Sequence, residues 1–192
     1  MSPRTAEQNL LIREQRKQQI MEAALELFAK NGYAATTIDQ LAKAAEVSKG
    51  LLYNYFASKE ELLTAIFNQM IEDAESVWQF DTTLPPKDQL KQLLDATFVY
   101  MEEHQSLMKL ITQLALQPDV VRDLKEFITQ SQTSKLMMIE PLLEQMGYDD
   151  AKEEAFFLGA FLDGMGLGSM VLRENYPLEK MKTRIYKHYR LL

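Results

Sequence analysis

Apolar residues recur at helical spacing through the first third of the chain, between clear signals for helix starts and ends. The stretch from Arg13 to Asn31 is followed by Gly32, a residue type that favours the left-handed backbone found just beyond many helix ends. The pattern therefore predicts a first helix from about Arg13 to Asn31. Its apolar face carries Ile20, Ala24, Leu27 and Phe28.

Two short helices are predicted next. Thr37 and Gln40 stand in the positions of a capping box, in which the hydroxyl accepts from first-turn amides and the amide side chain reaches back. Ser48 is placed to cap a further helix of about seven residues, with Val47 and Leu52 in the positions of a hydrophobic staple. The spacing thus predicts two short helices joined by a tight turn.

A fourth, longer helix begins after Ser58, with Glu61 at its third position. Its broad apolar face carries Leu62, Leu63, Ile66, Phe67, Met70, Ala74, Val77 and Trp78. Beyond residue 81, sparse prolines and Gly147 separate further segments that we predict to be helical. These segments span residues 86–104, 106–116, 119–146, 150–172 and 177–191.

Composition agrees with an all-α chain. Glycine and proline number only 7 and 6 of 192 residues, and leucine and methionine far outnumber the β-branched isoleucine and valine. No run of 18 apolar residues, no signal peptide and no cysteine is present. We therefore expect a cytoplasmic protein that does not use a membrane.

The net charge of -7 argues at first against a nucleic-acid partner. The charge is unevenly distributed, however: residues 1–60 carry a net charge of +1 and residues 61–192 carry -8. The acidic excess belongs to the second part of the chain, so the first part remains a candidate for DNA binding.

Two short helices joined by a turn, the second capped by Ser48, predict a helix-turn-helix, whose second helix enters the major groove. Lys49 can contact a guanine edge or a phosphate, and Asn54 can pair with adenine. Tyr53, Tyr55 and Lys59 can donate to phosphates. Gly50 allows a close backbone approach, and Leu51 can touch a thymine methyl but cannot bond a base. The alternative is a three-helix fragment with a solvated basic face.

These residues closely resemble the DNA-binding domain of TetR-type (tetracycline-repressor-like) transcriptional regulators. The resemblance covers about residues 19–63. It is carried by Gly32-Tyr33, Thr36-Thr37-Ile38, Leu41-Ala42, Ala45, Val47-Ser48-Lys49-Gly50, Leu52-Tyr53-Asn54-Tyr55-Phe56 and Ser58-Lys59-Glu60-Glu61-Leu62.

The resemblance implies a homodimer that binds operator DNA and responds to a small-molecule effector. It implies a three-helix DNA-binding domain over residues 1–57 and a larger helical domain for effector binding and dimerisation over residues 58–192. Residues at or near DNA would be Thr37, Ser48, Lys49, Gly50, Tyr53, Asn54, Tyr55 and Lys59. Leu51 matches a position that is usually small or polar in the family. A basic arm ahead of the first helix would include Arg4, Arg13, Arg16 and Lys17.

Four of the seven glycines fall in the predicted helix over residues 150–172. Mid-helix glycines are unfavourable, so packing must offset them. Ala160, Gly164 and Gly168 form a smooth ridge, which predicts close helix approach at a dimer interface or, alternatively, within one chain. Met181 and Ile185 of the last helix are assigned to the same interface. That helix is basic and amphipathic, which suits a membrane surface or a solvated face beside the dimer.

A pocket for an apolar or aromatic effector is predicted in the second part of the chain, because methionines and aromatic residues adapt to irregular shapes. The same residues can equally form ordinary core. The candidates are Phe67, Met70, Trp78, Phe98, Met101, Met108, Ile111, Met137, Phe156 and Phe157.

The chain lacks the usual signals of catalysis. It has two histidines, no thiol and no phosphate-binding glycine loop, so we expect no enzyme activity, cofactor or metal. The sequence thus predicts a ligand-responsive transcriptional repressor that binds a palindromic operator. The alternative is a helical small-molecule-binding module without regulatory DNA binding.

Overall fold

The computed structural model describes residues 5–77, 79, 81–115, 117 and 125–192. Within these ranges the regular secondary structure is helical and no strand occurs, which confirms the predicted all-α class. Helices α1 to α9 span Ala6–Asn31, Ile38–Ala44, Lys49–Tyr55, Lys59–Val77, Pro86–Glu103, Gln105–Ala115, Lys125–Gln145, Ala151–Leu172 and Leu178–His188, and a short 3-10 turn, Arg173–Asn175, precedes the last.

Helix α1 begins at Ala6, so the predicted start at Arg13 is wrong by seven residues. Thr5 caps this end: its Oγ1 accepts from the Gln8 amide at 3.2 Å, and Gln8 Oε1 accepts from the Thr5 amide at 3.1 Å. Periodicity missed these two turns because their side chains have no buried face. Leu10 and Leu11 are 61% and 59% exposed.

The chain divides into two compact units, residues 1–72 and 73–192. In the first unit, the inward faces of α1, α2, α3 and the first turns of α4 are buried. Their buried side chains include Ile20, Ala24, Phe28, Leu41, Leu52, Phe56, Leu62 and Ile66. The domain boundary between residues 57 and 58 stays a prediction.

In the second unit, α5, α7, α8 and α9 share one apolar core. Its buried members are Leu90, Leu93, Leu94, Phe98, Ile139, Leu142, Leu143, Ala151, Ala155, Leu158, Met165, Ile185, Tyr189 and Leu191. Fourteen buried apolar side chains provide the main driving force for folding of this unit, because each removes apolar surface from water.

Polar contacts hold α9 against α5 at the edge of this core. Asp95 of α5 accepts hydrogen bonds from the Tyr186 hydroxyl and from Lys91. Nearby, the Lys182 ammonium pairs with Glu102 of α5 and with Glu179. Helix α9 is therefore tied to its own chain by both apolar and charged contacts.

Candidate nucleic-acid interface

Helices α2 and α3 form the predicted helix-turn-helix, and both begin at the predicted caps. Thr37 Oγ1 accepts from the Gln40 amide at 3.3 Å, while Gln40 Oε1 accepts from the Thr37 amide at 2.8 Å. Ser48 Oγ accepts from the Leu51 amide at 3.1 Å. These bonds satisfy amides that have no partner within the helix, so the two starts are confirmed.

The turn between the two helices contains a residue in a strained conformation. Glu46 has a φ of 54°, in the left-handed region that side chains other than glycine disfavour by about 1 kcal/mol. The next amide, that of Val47, donates to the Ala42 carbonyl at 2.9 Å. This bond fixes the turn and therefore the direction in which α3 leaves it.

Helix α3 has one face in the core and one in water. Leu52 and Phe56 are 0% and 1% exposed. On the opposite side, Leu51 and Tyr53 are 37% and 46% exposed. The other exposed residues of this face are Ser48, Lys49, Gly50 and Asn54, while Tyr55 is half-buried. The orientation predicted from sequence is the one observed.

Gly50 stands at the exposed start of α3. A Cβ built at this position would meet no atom within 4 Å, so the folded chain itself does not require glycine there. The open space is consistent with a surface that a close-fitting partner, such as a DNA backbone, would cover.

Lys49 has a neighbour that the sequence did not reveal. Its Nζ lies 2.9 Å from Asp39 Oδ1 of α2, and both side chains are more than half exposed. The hydrogen bond to Asp39 raises the pKa of Lys49, because the carboxylate stabilises the charged ammonium. An acidic group therefore lies on the same surface as the predicted DNA-contacting lysine.

Lys59 is directed toward the loop between α1 and α2. Its Nζ donates to the carbonyls of Tyr33 at 2.9 Å and Thr36 at 3.1 Å, and it lies 4.4 Å from the centre of the Tyr33 ring. An ammonium has three donors, and these contacts engage most of them. The predicted phosphate contact of Lys59 stays a prediction, while its bonds to the loop are observed.

We expect Lys59→Met to lower the free energy of unfolding by about 2 kcal/mol, because it removes charged hydrogen bonds to part-buried carbonyls. Urea denaturation measures this loss. Lys43→Met, at an exposed lysine of α2, is the matched control and should change stability by less than about 0.5 kcal/mol. Equal losses in both variants would show that the bonds from Lys59 to the loop do not stabilise the fold.

Arg13 extends the exposed basic surface beyond the helix-turn-helix. Its guanidinium carbon lies 5.9 Å from the centre of the Tyr55 ring, which places α1 beside the end of α3. Arg16 and Lys17 are half-buried on the same helix, and Arg4 lies outside the described residues. Contact of these residues with DNA stays a prediction.

The described residues among those predicted to line an effector pocket have different surroundings. Phe98 belongs to the core of the second unit, and Phe67 is buried in the first unit. Met137, Phe156 and Phe157 are 71%, 54% and 53% exposed, so this chain alone does not enclose them. The assignment of these five residues to an effector pocket stays a prediction. Met70, Met101, Met108 and Ile111 are half-buried, and Trp78 lies outside the described residues.

An open groove of about 570 Å³ does occur in the second unit, at a different place. None of the predicted pocket residues lines it. Its walls are formed by Pro85, Pro86, Lys87, Gln145, Met146, Gly147, Tyr148, His188, Tyr189 and Arg190. Among the residues that the structure describes, no cluster of three or more histidine or acidic side chains is placed to hold a metal ion.

The residues predicted at a dimer interface separate into two groups. Ile185 is 4% exposed in the core of its own unit, and Met181 packs against that core. A Cβ at Gly168 would overlap the Tyr176 ring of the same chain. Ile185 and Gly168 therefore make contacts within the chain, and their place at a dimer interface stays a prediction. Ala160 and Gly164 are exposed, and a Cβ at Gly164 would meet nothing within 4 Å.

By length and composition alone, the segment Ala151–Asn175, which is helix α8 and the 3-10 turn after it, is long and apolar enough to cross a membrane. Only 22% of its most apolar 18-residue stretch is buried. The low burial reflects an exposed apolar stripe along α8.

An all-helical fold with an exposed, basic and amide-bearing face on α3 is typical of proteins that bind DNA through a helix-turn-helix. Residues 20–66 match the family described as bacterial regulatory proteins, tetR family. The matched segment is about a quarter of the chain and contains the helix-turn-helix, so the first unit carries a segment similar to the DNA-binding domain of this family, whose regulators bind operator DNA and usually act as dimers.

Individual relatives agree with this assignment. The HTH-type transcriptional regulator YhgD of Bacillus subtilis, which is described as uncharacterized, is 34% identical over 102 residues, 52% of this chain and 53% of the relative. YvkB of the same organism, with the same description, is 26% identical over 173 residues, 84% of this chain and 88% of the relative. Other relatives carry the names of repressors and of an activator.

A solved structure shares the fold over almost the whole chain. The TetR-like transcriptional regulator from Rhodococcus sp. RHA1 has a TM-score of 0.74 at 22% identity and covers 99% of this chain and 97% of its own. The chain spans only about half or less of the first curated relatives that it matches, 53% of YhgD and 35% of YerO. Its activity and partners are accordingly proposed below.

Proposed function

We propose that the protein is a ligand-responsive transcriptional repressor that binds a palindromic operator as a homodimer. The observation that carries this proposal is the exposed face of α3, where Lys49, Tyr53 and Asn54 project from a helix held by buried Leu52 and Phe56. Such a helix fits the major groove, and a basic and amide-bearing face suits base edges and phosphates.

Within this proposal the exposed residues have different roles. Lys49 and Asn54 read base edges, and Leu51 contacts a thymine methyl. Phosphates are bound at the start of each helix by Thr37 and Ser48, and along α3 by Tyr53 and Tyr55. Gly50 lets the backbone of α3 come close to the DNA. Lys59 holds the neighbouring loop, and its phosphate contact requires one of its carbonyl bonds to open.

The test is selection of duplexes from a random pool by the full chain, followed by binding measurements at two salt concentrations. A repressor selects a palindrome and binds it more weakly as salt rises. The alternative, a helical small-molecule-binding module without regulatory DNA binding, selects no sequence. A result of that kind would overturn the proposed function.

We expect Asn54→Ala and Tyr53→Phe to affect the selected duplex differently. Loss of an amide that pairs with a base should cost roughly 1–3 kcal/mol and relax preference at that base pair. Loss of one hydroxyl to phosphate should weaken all duplexes by the same factor. Binding to the selected duplex and to single-base variants measures both effects. Equal loss of base discrimination in both variants would contradict these roles.

A homodimer is supported by an exposed apolar stripe on α8. Phe156, Ala160, Gly164, Leu167 and Val171 recur every three or four residues on the face opposite the core, and all five are exposed. Alanine and glycine in its middle allow another helix to come close. A second copy is the occupant that we propose, because an isologous contact buries the same stripe on both chains.

Effector control is proposed to act through the second unit. Supporting this, the Tyr100 hydroxyl is buried without a hydrogen-bond partner among the described residues, and burial raises its pKa to about 12. A largely apolar or aromatic effector that carries one hydrogen-bond acceptor would satisfy this hydroxyl, and half-buried Met101, Met108 and Ile111 are the candidates to contact its apolar part.

The effector would shift the dimer toward a state whose recognition helices no longer match successive major grooves, ~34 Å apart. Coupling of this kind is reciprocal, so operator DNA must weaken effector binding by the same factor. Native mass spectrometry of the purified protein, with and without operator duplex, would identify a retained molecule and detect its release. We place this activity in the cytoplasm, where the operator DNA is found.

A further inference from the structure

The open groove in the second unit has the size of a small-molecule site. Its volume is about 570 Å³, within the range of roughly 300–1,000 Å³ that is usual for ligand pockets. Its walls come from the start of α5, from the end of α7 with the residues that follow it, and from the end of α9. The residues proposed above to contact the effector lie outside these walls.

The walls of the groove carry basic side chains and no acidic one. Lys87, His188 and Arg190 line it, although residues 61–192 have a net charge of -8. Neither Lys87 nor Arg190 forms an ion pair with any residue that the structure describes. Helix α5 also begins at this wall without a side-chain cap, which adds a partial positive charge. The groove therefore presents two cations to an incoming ligand.

The acidic residues around the groove are engaged elsewhere or face water. Glu154 Oε1 accepts from the Tyr189 hydroxyl at 2.8 Å and lies 3.0 Å from His188 Nε2. Other acidic residues stand next to wall residues in sequence, but they are exposed, so water screens their charges, and none lines the groove. These are Asp88, Glu144, Asp149 and Asp150.

Arg190 stands at a position where folding alone favours glycine. It follows α9 with a φ of 55°, in the left-handed region, and α7 ends at the same groove with Gly147 at a φ of 85°. The Leu191 amide donates to the Tyr186 carbonyl at 2.7 Å and closes the end of α9 through the backbone alone. Strain of this kind persists mainly where the side chain has a use. The guanidinium is therefore a candidate to bind a ligand.

The remaining walls are mostly apolar. Pro86, Met146 and Tyr148 are half-buried, and Pro85 is exposed beside them. The Tyr148 ring packs against buried Tyr189, with 6.0 Å between the ring centres, which holds it in place at the wall. A flat apolar group is the kind of ligand that such a surface accommodates.

Tyr148 also offers a hydrogen-bond donor. Burial raises the pKa of Tyr148 and the charge of Glu154 raises it further, while the nearby charge of Arg190 lowers it. The net direction is upward, so the hydroxyl stays protonated at neutral pH and donates to an acceptor.

We propose that this groove binds a small organic carboxylate with a flat apolar or aromatic body. The carboxylate binds Lys87 and Arg190, because a guanidinium can hold both oxygens and an ammonium adds a compact charge. The body rests on Met146 and Tyr148. This inference goes beyond the proposed function, since binding here requires neither DNA nor the effector contacts near Tyr100.

The test uses phenylacetate as the probe, phenylacetamide as its neutral isostere, and acetate as the acid without a ring. Each is titrated into the full chain labelled with ¹³C-methyl methionine, and the Met146 signal, assigned with Met146→Leu, reports from the groove. Phenylacetate should shift this signal with a Kd of about 1 mM, as expected for about ten non-hydrogen atoms in an open groove. Phenylacetamide should bind about tenfold more weakly because it has no charge, and acetate about tenfold more weakly because it buries no apolar surface.

Substitutions in the walls test the two cations. Lys87→Gln and Arg190→Gln should each weaken phenylacetate by about 3–10-fold and change phenylacetamide by less than about twofold. Lys180→Gln, at an exposed lysine of α9 outside the groove, is the matched control and should change neither. Arg190→Gly should weaken phenylacetate as Arg190→Gln does, yet keep or raise the thermal midpoint, because glycine relieves the backbone strain. A lower midpoint with unchanged phenylacetate binding would show that Arg190 serves the fold alone.

Other results overturn the site as a whole. These are a shift of the Met101 or Met108 signal in place of Met146, or an amide that binds as tightly as the acid. A Met146 signal that changes with protein concentration and not with phenylacetate would show that a second copy covers the groove. Selection of duplexes by the unmodified chain tests the proposed function separately, so either proposal can fail while the other stands.

Discussion

Leu167→Glu is expected to dissociate the proposed dimer and to weaken operator binding by roughly 100-fold or more, since two linked recognition helices gain about 10²–10⁴ in avidity over one. Leu167 lies on the exposed apolar stripe of α8 and is 47% exposed in the single chain. In a symmetric contact, one substitution introduces two carboxylates into a surface that is otherwise apolar. Each would lose its hydration without gaining a partner.

Sedimentation velocity of the free protein measures dissociation, and binding to a full palindrome and to a single half-site measures the loss of avidity. Half-site affinity should change little, because α3 is not altered. Val99→Glu is the matched control, since Val99 of α5 is 53% exposed in the same unit but outside the stripe. A dimer that survives Leu167→Glu, or dissociates equally with Val99→Glu, would show that the interface lies elsewhere.

Leu52→Ala is the second substitution with a large expected effect, a loss of about 3 kcal/mol in the free energy of unfolding of the first unit. Leu52 is fully buried, and its removal leaves a cavity under the recognition helix. A seven-residue helix has little stability of its own, so α3 depends on this packing to keep its orientation. As temperature rises, the affinity of the Leu52→Ala variant for every duplex should therefore fall further below that of the unmodified chain.

The adjacent Leu51 provides the control for this loss. It has the same side chain, is 37% exposed, and should lose less than about 1 kcal/mol when replaced by alanine. Chemical denaturation followed by Tyr fluorescence or circular dichroism compares the two variants. Similar losses at the two positions would mean that α3 does not rely on its buried face.

Local signals predicted the helix-turn-helix almost completely. Capping at Thr37 and Ser48 involves residues three positions apart, and the division of α3 into buried Leu52 and exposed Tyr53 follows from helical spacing. These interactions join residues only a few positions apart, so a single sequence is enough to predict them.

Contacts between distant residues could not be predicted in this way. Lys59 reaches a carbonyl 26 residues away, and Asp39 meets Lys49 only because the turn at Glu46 brings two helix starts together. Ile185 and Ala160 are both predicted from sequence at the interface, yet Ile185 lies in the core of its own unit and Ala160 is exposed. The pattern of apolar residues predicts which face of a helix is apolar, but it does not predict which part of the molecule packs against that face.

By itself, the sequence determined that the chain is helical, where most helices begin, and which side of α3 faces outward, because these properties depend on neighbours along the chain. Only the tertiary structure decided that Lys59 holds a loop, that Asp39 pairs with Lys49, and that α8 leaves an apolar stripe exposed. Those outcomes depend on how separate helices pack, and packing is set by the shapes of many side chains together.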